Sequence, residues 1–471
     1  MKSAEEFMWR NTRALLVVTL VLMAVSLTAT LLGTAWTDEV FYISPGGNWA
    51  EGKGFTSNDW NNWEQPKTWG FSNPGLPLLL GLWFKVFGFG QIQSHAFIFL
   101  VYLAGLIGLV RWVGKRYQMS MPQLAVGVWI GLFVHSFNHD AIYHARHDCF
   151  WPFLFWGFLK LSLDEGKSHR TRLLNATLLG LACIFLGLHF AGFFAVAAAT
   201  LFLYHRNKGL FYAGLGQALG LILGLILLRF IYEKMGVWGD FVDHRSMHFA
   251  QSFKWAHWVV SKDFWLIGPG LVLLLLGEFL AGRGAGSHVG RTAIIGLGLF
   301  VLIPPVINAV GYYQASYSWM VIAPVCLVVM PRLICQPFMK GGWFNCLVLL
   351  LMTGGILLRS FDMIQGMFEY GRRQEVRQVA AGLMAATDSV LVSTGLYYDF
   401  GNSGNNTYIC YENRAQVPAA AGGRQRWLIL NADDAKLFKV KLDGVWEAVY
   451  ESPMGRLMMP PGNYVIMRKL P

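Results

Sequence analysis

Through the first 358 positions, predominantly apolar stretches of 15 to 24 residues alternate with short polar breaks. Read in order, the stretches fall at 14–36, 94–110, 122–137, 149–163, 173–188, 190–204, 209–232, 264–281, 292–310, 317–331 and 343–358, a pattern that predicts eleven transmembrane helices. The first, Ala14 to Trp36, carries no charge over 23 residues. At about 1.5 Å per residue it crosses a hydrocarbon core of roughly 30 Å. It is longer than the apolar region of a signal peptide, so it reads as a retained span. The run 73–90, "NPGLPLLLGLWFKVFGFG", is too short to span and is broken by prolines and Lys85. It predicts a helix lying along the interface, within a first outer loop at 37–93. After Arg359 the pattern changes. A helical stretch, "RRQEVRQVAAGLMAAT", precedes the segments "SVLVSTGLYYDFG", "RWLILNAD", "WEAVYESP" and "NYVIMRKL", which alternate or run apolar between turn residues. The expected organisation is an all-α polytopic membrane domain at 1–358 and a small soluble α/β domain at 359–471.

Composition agrees with the pattern. Of 471 residues, 55% are hydrophobic and 14% charged, far from the balance of a soluble globular domain. The formal charge of +11 invites a nucleic-acid partner, but no basic stripe interleaved with aromatics is present. The excess is topological. With a cytoplasmic N-terminus, six short inner segments hold 15 Lys and Arg, and the much longer outer loops hold fewer, as the positive-inside rule requires. The six cysteines are scattered and form no disulfide or zinc framework. There is no internal repeat.

That orientation gathers the polar features on the outer face: the loop 37–73, the turn 137–148, the loop 233–262 and the C-terminal domain. The candidate chemistry is Asp38, Glu39, Asp140, Arg146 and Asp148 with several histidines. Each has a plainer alternative. Asp38 and Glu39 also suit the polar stop after the first helix, Arg146 suits an interfacial snorkelling arginine, and Asp140 and Asp148 suit a solvated turn. His139, His144 and His147 match no closed zinc spacing. The loop with "DFVDHRSMHF" and "KWAHWVV", holding His244, Arg245 and His248, reads either as a lid over phosphate or as an interfacial helix with a tryptophan belt.

Taken together and in order, these features resemble the GT-C superfamily of membrane glycosyltransferases, in particular the protein O-mannosyltransferase and lipid A aminoarabinose transferase branch. The resemblance rests on "TDEVFY" after the first helix, "NPGLPLLLGLWFKVFG" in place of an Asn-Pro-Pro-Leu interfacial helix ending Lys-Val-Phe-Gly, "HARHD" opening the fourth helix, and an outer C-terminal domain. Gly75 stands where that branch has its second proline, and "YYQASYSWMVIAP" lacks an arginine common there.

The resemblance implies a polyprenyl-phosphate sugar as donor, whose phosphate leaving group needs no protonation. Such chemistry calls for one base and fixed positive charge rather than the paired carboxylates of a glycosidase. It assigns Asp38 as the base with Glu39 in reserve, and Arg146, His147 and Arg245 to the donor phosphate. Asp148, Asp140, His244 and His248 are then orienting or acceptor residues, and in-line displacement inverts the anomeric centre. A divalent ion is compatible, since some GT-C enzymes use one and others do not. Expected partners are the lipid-linked sugar, membrane lipids and a lipid, glycan or protein hydroxyl, and the expected location is a bacterial inner membrane with a periplasmic active site. A polytopic transporter or flippase of lipid-linked sugars is the competing class, but it calls for paired broken helices and ionisable residues at mid-membrane.

Overall fold

A computed structural model describes residues 12–32, 37–57, 67–70, 72–137, 145–163, 168–188, 190, 194, 208–249, 350, 353–354, 356–357, 371–385, 388–393, 396–400, 406–410, 426–431, 445–452 and 464–470. The expected spans at 264–281, 292–310 and 317–331, and most of those at 190–204 and 343–358, lie outside the described residues.

Helix α1 (Thr12–Leu32) is apolar around its whole circumference, and Val17, Leu20 and Val21 are exposed. Thr19, Thr28 and Thr30 return their hydroxyls to the carbonyls four residues earlier, so they need no water. Helix α2 (Thr37–Ala50) follows, and then a two-stranded antiparallel ribbon of β1 (Thr56–Ser57) and β2 (Lys67–Thr68). Next come α3 (Gly75–Phe87), α4 (Gln91–Tyr117), α5 (Met121–Phe137), a 3-10 turn at His147–Phe150 running into α6 (Trp151–Leu163), α7 (His169–Leu186), α8 (Lys208–Lys234) and α9 (Trp238–Phe249).

Among the described residues α1, α4 and α8 are long and apolar enough to cross a membrane. The exposed row Ile222, Leu223, Ile226, Leu227 and Phe230 on α8 is an apolar surface that water does not favour and lipid does. Helix α3 has 13 residues, about 20 Å of rise, short of a span.

Helix α2 is unexpected, since the sequence reading treats 37–73 as a loop. Its Pro45, Gly46 and Gly47 are poor helix formers. The glycines are tolerated because tertiary packing needs them: a side chain at Gly46 would run into the Pro77 carbonyl and Leu80 of α3, one at Gly47 would meet Phe89, and one at Gly81 would strike Trp49 of α2. Lys85 of α3 lies 3.9 Å over the Trp49 ring, adding a cation–π contact to the same seam. Helices α7 and α8 also meet through small residues, Gly180 against Gln217 and Gly220 against Thr177, the close approach favoured where no hydrophobic force separates helix from lipid.

The C-terminal unit opens with a helix at 371–383, here α10, followed by β3 (Ser389–Ser393), the single-turn α11 (Tyr397–Phe400), β4 (Asn406–Cys410), β5 (Trp427–Asn431), β6 (Trp446–Glu451) and β7 (Tyr464–Lys469). The sheet order is β4-β3-β5-β7-β6, with β3 parallel to β4 and β5, and β7 antiparallel to β5 and β6. Val376 and Ala380 of α10 cover Val390, Val392, Ile429 and Ile466 on one face. This is the small α/β arrangement that the segment pattern implies, with β4 added to the expected strands.

Candidate active site

The short passage Ala145–Trp151 is buried throughout, although it holds Arg146, His147 and Asp148. Arg146 Nε lies 3.1 Å from Asp148 Oδ2, and His147 Nε2 lies 3.6 Å from Asp148 Oδ1. Arg146 is extended, at φ −119° and ψ 155°, immediately before the 3-10 turn that holds His147 and Asp148, so the chain changes direction between the two charged residues at the entry to α6. The Arg146 and Asp148 side chains are 3% and 1% exposed, so the guanidinium is held within protein rather than reaching for water. Burying a charge is costly unless a countercharge accompanies it, and Asp148 supplies one.

The His147 ring packs edge-on to Tyr42 at 5.3 Å, which ties the cluster to α2. Phe41, the neighbouring residue on α2, packs on Trp69 beside the ribbon, and Asn48 donates to the Thr56 carbonyl at 2.9 Å. The loop before α3 is anchored from the other side. Asn73 donates to the Ile184 carbonyl of α7, and the Tyr232 hydroxyl of α8 donates to the Ser72 carbonyl at 2.5 Å. Helix α2 is therefore braced by α3, the ribbon and the start of α6.

Asp38 and Glu39 occupy the first turn of α2, at the positive end of its dipole. The Asp38 side chain lies outside the described residues. Glu39 is wholly buried, and its Oε1 accepts from the Tyr398 hydroxyl at 2.5 Å and faces His95 Nε2 at 2.6 Å. Burial, together with the adjacent Glu39 carboxyl, pushes the Tyr398 phenol well above its ordinary range, so it remains the donor.

Neither His95 nor Tyr398 is among the residues singled out from the sequence. His95 interrupts an apolar run, "SHAFIFL", and a histidine so placed is the signal that was there to read. Tyr398 carried none.

Arg373 of α10 is also wholly buried, donating to Gln91 Oε1 at 3.0 Å at the start of α4 and standing 3.7 Å from Asp399. Burial raises the Asp399 carboxyl, against the opposing pull of Arg373 and Arg377. Phe89, in the turn between α3 and α4, packs against Tyr397 and Tyr398.

The other sequence candidates are less fully defined. Positions 244, 245 and 248 lie on α9, which packs on α8 through Phe241 and Tyr232, but the side chains of His244, Arg245 and His248 lie outside the described residues, as does Asp140 altogether. Among the described residues no group of three His, Cys, Asp or Glu side chains converges on a metal position.

No family model and no curated protein matches the chain. Solved structures do. The arabinofuranosyltransferase AftD from mycobacteria aligns with 96% of this chain and 40% of its own, at 12% identity and a TM-score of 0.49. Two structures of ArnT from Cupriavidus metallidurans, a lipid A aminoarabinose transferase, align with 96% of this chain and 97% of theirs at 12% identity. Their TM-scores are 0.61 for the apo state and 0.59 for the form bound to undecaprenyl phosphate. A likeness that covers nearly the whole of both chains gives this protein the fold of these ArnT structures, which is a GT-C fold.

Proposed function

We propose that the protein is a membrane glycosyltransferase that moves a sugar from a polyprenyl-phosphate donor to a hydroxyl of a lipid, glycan or protein. The observation that carries this reading is the buried Arg146–Asp148 pair set against α2, in a chain that shares its fold from end to end with a transferase captured with undecaprenyl phosphate. A guanidinium donates in a planar fork that matches two phosphate oxygens, and Asp148 fixes the plane of that fork. His147 adds a donor beside it. The apolar donor tail, worth roughly 0.8 kcal/mol per buried methylene, keeps the substrate in the bilayer and explains why the site belongs to a membrane domain.

In the proposed reaction Asp38 takes the proton of the acceptor hydroxyl, the acceptor oxygen forms its bond to the anomeric carbon, and the bond from that carbon to the phosphate oxygen breaks. The electron pair leaves with the polyprenyl phosphate, whose added charge meets Arg146. One displacement inverts the anomeric centre. Arg245, His244 and His248 on α9, and Asp140, are kept as donor or acceptor contacts. The N-terminus is assigned to the cytoplasm, and the site and residues 359–471 to the periplasm of a bacterial inner membrane.

The test is direct. Purified protein is expected to gain thermal stability with undecaprenyl phosphate and, with a bacterial membrane extract supplying acceptor hydroxyls, to release polyprenyl phosphate from one or more of a panel of synthetic polyprenyl-phosphate pentoses and hexoses. Asp38→Asn is expected to keep the stabilisation and lose transfer by about 10²–10⁴-fold, the usual cost of removing a general base. Full transfer in Asp38→Asn would refute the assignment of the base. Absence of both stabilisation and transfer would refute the donor class. Mass spectrometry of lipids and protein glycans after gene deletion then names the acceptor.

A further inference from the structure

We propose that the C-terminal domain is a working part of this active site, with Glu39 and Tyr398 as positioning residues that hold the first turn of α2 in place. The proposal rests on the glycosyltransferase reading for what Asp38 does, and on geometry of its own for the rest.

Four elements meet at Glu39. The carboxyl comes from α2, His95 from α4, and Tyr398 from α11 of the C-terminal domain. Thr30, near the end of α1, accepts from His95 Nδ1 at 2.6 Å. A carbonyl can only accept, so Nδ1 carries a hydrogen. On its other side, Nε2 then meets Glu39 either as an imidazolium facing a carboxylate or as a neutral ring sharing the carboxyl proton. Both arrangements are neutral overall, which is what a wholly buried pair requires. Thr30 of α1 and Glu39 of α2 are thus tied together through the one His95 ring, which clamps the start of α2 to α1 and α4. Position 38 sits inside the clamp, one residue from Glu39.

The C-terminal domain closes the clamp from outside. Arg373 grips Gln91, one helical turn before His95, and Phe89 receives Tyr397 and Tyr398, so the domain takes hold of the start of α4. Apolar packing alone would hold a domain against a helix hairpin. A buried hydroxyl directed at one carboxyl oxygen does something more specific, since it is satisfied in one register only. The Tyr398 hydroxyl therefore connects the domain's seating to the placement of Asp38.

Tyr398→Phe tests this, because it removes the hydroxyl and leaves the ring against Phe89 and His95. Two measurements are made on the full-length protein: hydrogen exchange of the α2 amides, and turnover of whichever synthetic polyprenyl-phosphate sugar the wild type uses best. Exchange across residues 37–44 is expected to rise about tenfold, with strand β3 unchanged. kcat is expected to fall about ten- to a hundredfold with KM within twofold, the signature of a misplaced group rather than a lost binding contact.

Tyr450→Phe is the control. It deletes a hydroxyl that bonds Glu375 within the same domain at 2.8 Å, and it leaves both readouts at wild-type values. In the double variant Tyr398→Phe with Glu39→Gln, kcat falls no further than in the more damaged single variant. Unchanged α2 exchange in Tyr398→Phe overturns the proposal, and so does an unchanged kcat. Full transfer in Asp38→Asn overturns the base assignment alone, because the exchange comparison and the kcat of Tyr398→Phe still decide the clamp.

Discussion

Replacing Asp148 by Asn puts the proposed phosphate site to its hardest physical test. The change keeps the side chain's size and one acceptor oxygen but removes the charge 3.1 Å from Arg146 Nε. With both side chains buried, little water is at hand to take over. Coulomb's law at that distance, with an effective dielectric near 20, gives about 5 kcal/mol of attraction. Removing one member of a buried pair costs about 3–5 kcal/mol. The two routes agree, so Asp148→Asn is expected to destabilise the fold by about 3–5 kcal/mol and lower the thermal midpoint by several degrees. Adding Arg146→Gln removes the other charge of the pair as well, and most of the lost stability is expected to return, although donor use does not. Intrinsic fluorescence from the 19 tryptophans reads the melt in one detergent for all variants. If Asp148→Asn melts with the wild type, or the double variant melts as low as the single, Arg146 does not depend on Asp148 and the oriented-clamp reasoning fails.

Arg146→Lys keeps the charge and loses the fork, so undecaprenyl phosphate is expected to bind about tenfold more weakly to a protein that still folds, and wild-type affinity in a binding titration would argue against a bidentate contact. In a cysteine-free background, cysteines at Glu51 and Glu447 are expected to react with an impermeant thiol reagent in intact spheroplasts while one at Ser168 does not, and labelling at Ser168 would reverse the topology. The raised Tyr398 phenol supplies a pH test. A group whose folded pKa exceeds its unfolded value contributes full stability below the unfolded value, about 10 for tyrosine, and loses it as the pH rises toward the folded one. Thermal midpoints are expected to fall further between pH 9 and 11 in the wild type than in Tyr398→Phe, and parallel declines would refute the buried hydroxyl's contribution.

Much of the helical framework was legible because a long apolar run is a local signal, although among the described residues only α1, α4 and α8 have the length and apolarity of a span. The run 14–36 matches α1, and 94–110, 122–137, 149–163, 173–188 and 209–232 each fall on α4 to α8. Helix α2 was not legible, because Gly46 answers to packing on α3 and Gly47 to packing on Phe89, and with Pro45 beside them they hide the helix. Strand β4 was missed for a related reason, since "NTYIC" is short and owes its place to parallel pairing with β3. The polar cluster at 146–148 could be seen because charges at the mouth of an apolar helix are conspicuous. The junction at Glu39 could not: its partners lie 56 and 359 residues away, and no local pattern joins them.

The two adjacent carboxylates show how one local motif serves two demands. Successive residues on a helix project about 100° apart, so Asp38 and Glu39 cannot serve the same surface. Taking position 38 as the origin, Tyr42 lies at about 40°, Glu39 at about 100° and Phe41 at about 60° the other way. Glu39 faces α4 and the C-terminal domain, Tyr42 faces His147, and Phe41 faces Trp69 beside the ribbon. The base proposed at position 38 works only if the helix does not rotate, since rotation by a single residue would put Glu39 in its place. The contacts that oppose such rotation are those of the neighbouring acid with His95 and Tyr398, so on the proposal that Asp38 is the base, Glu39 is the residue that holds it in register.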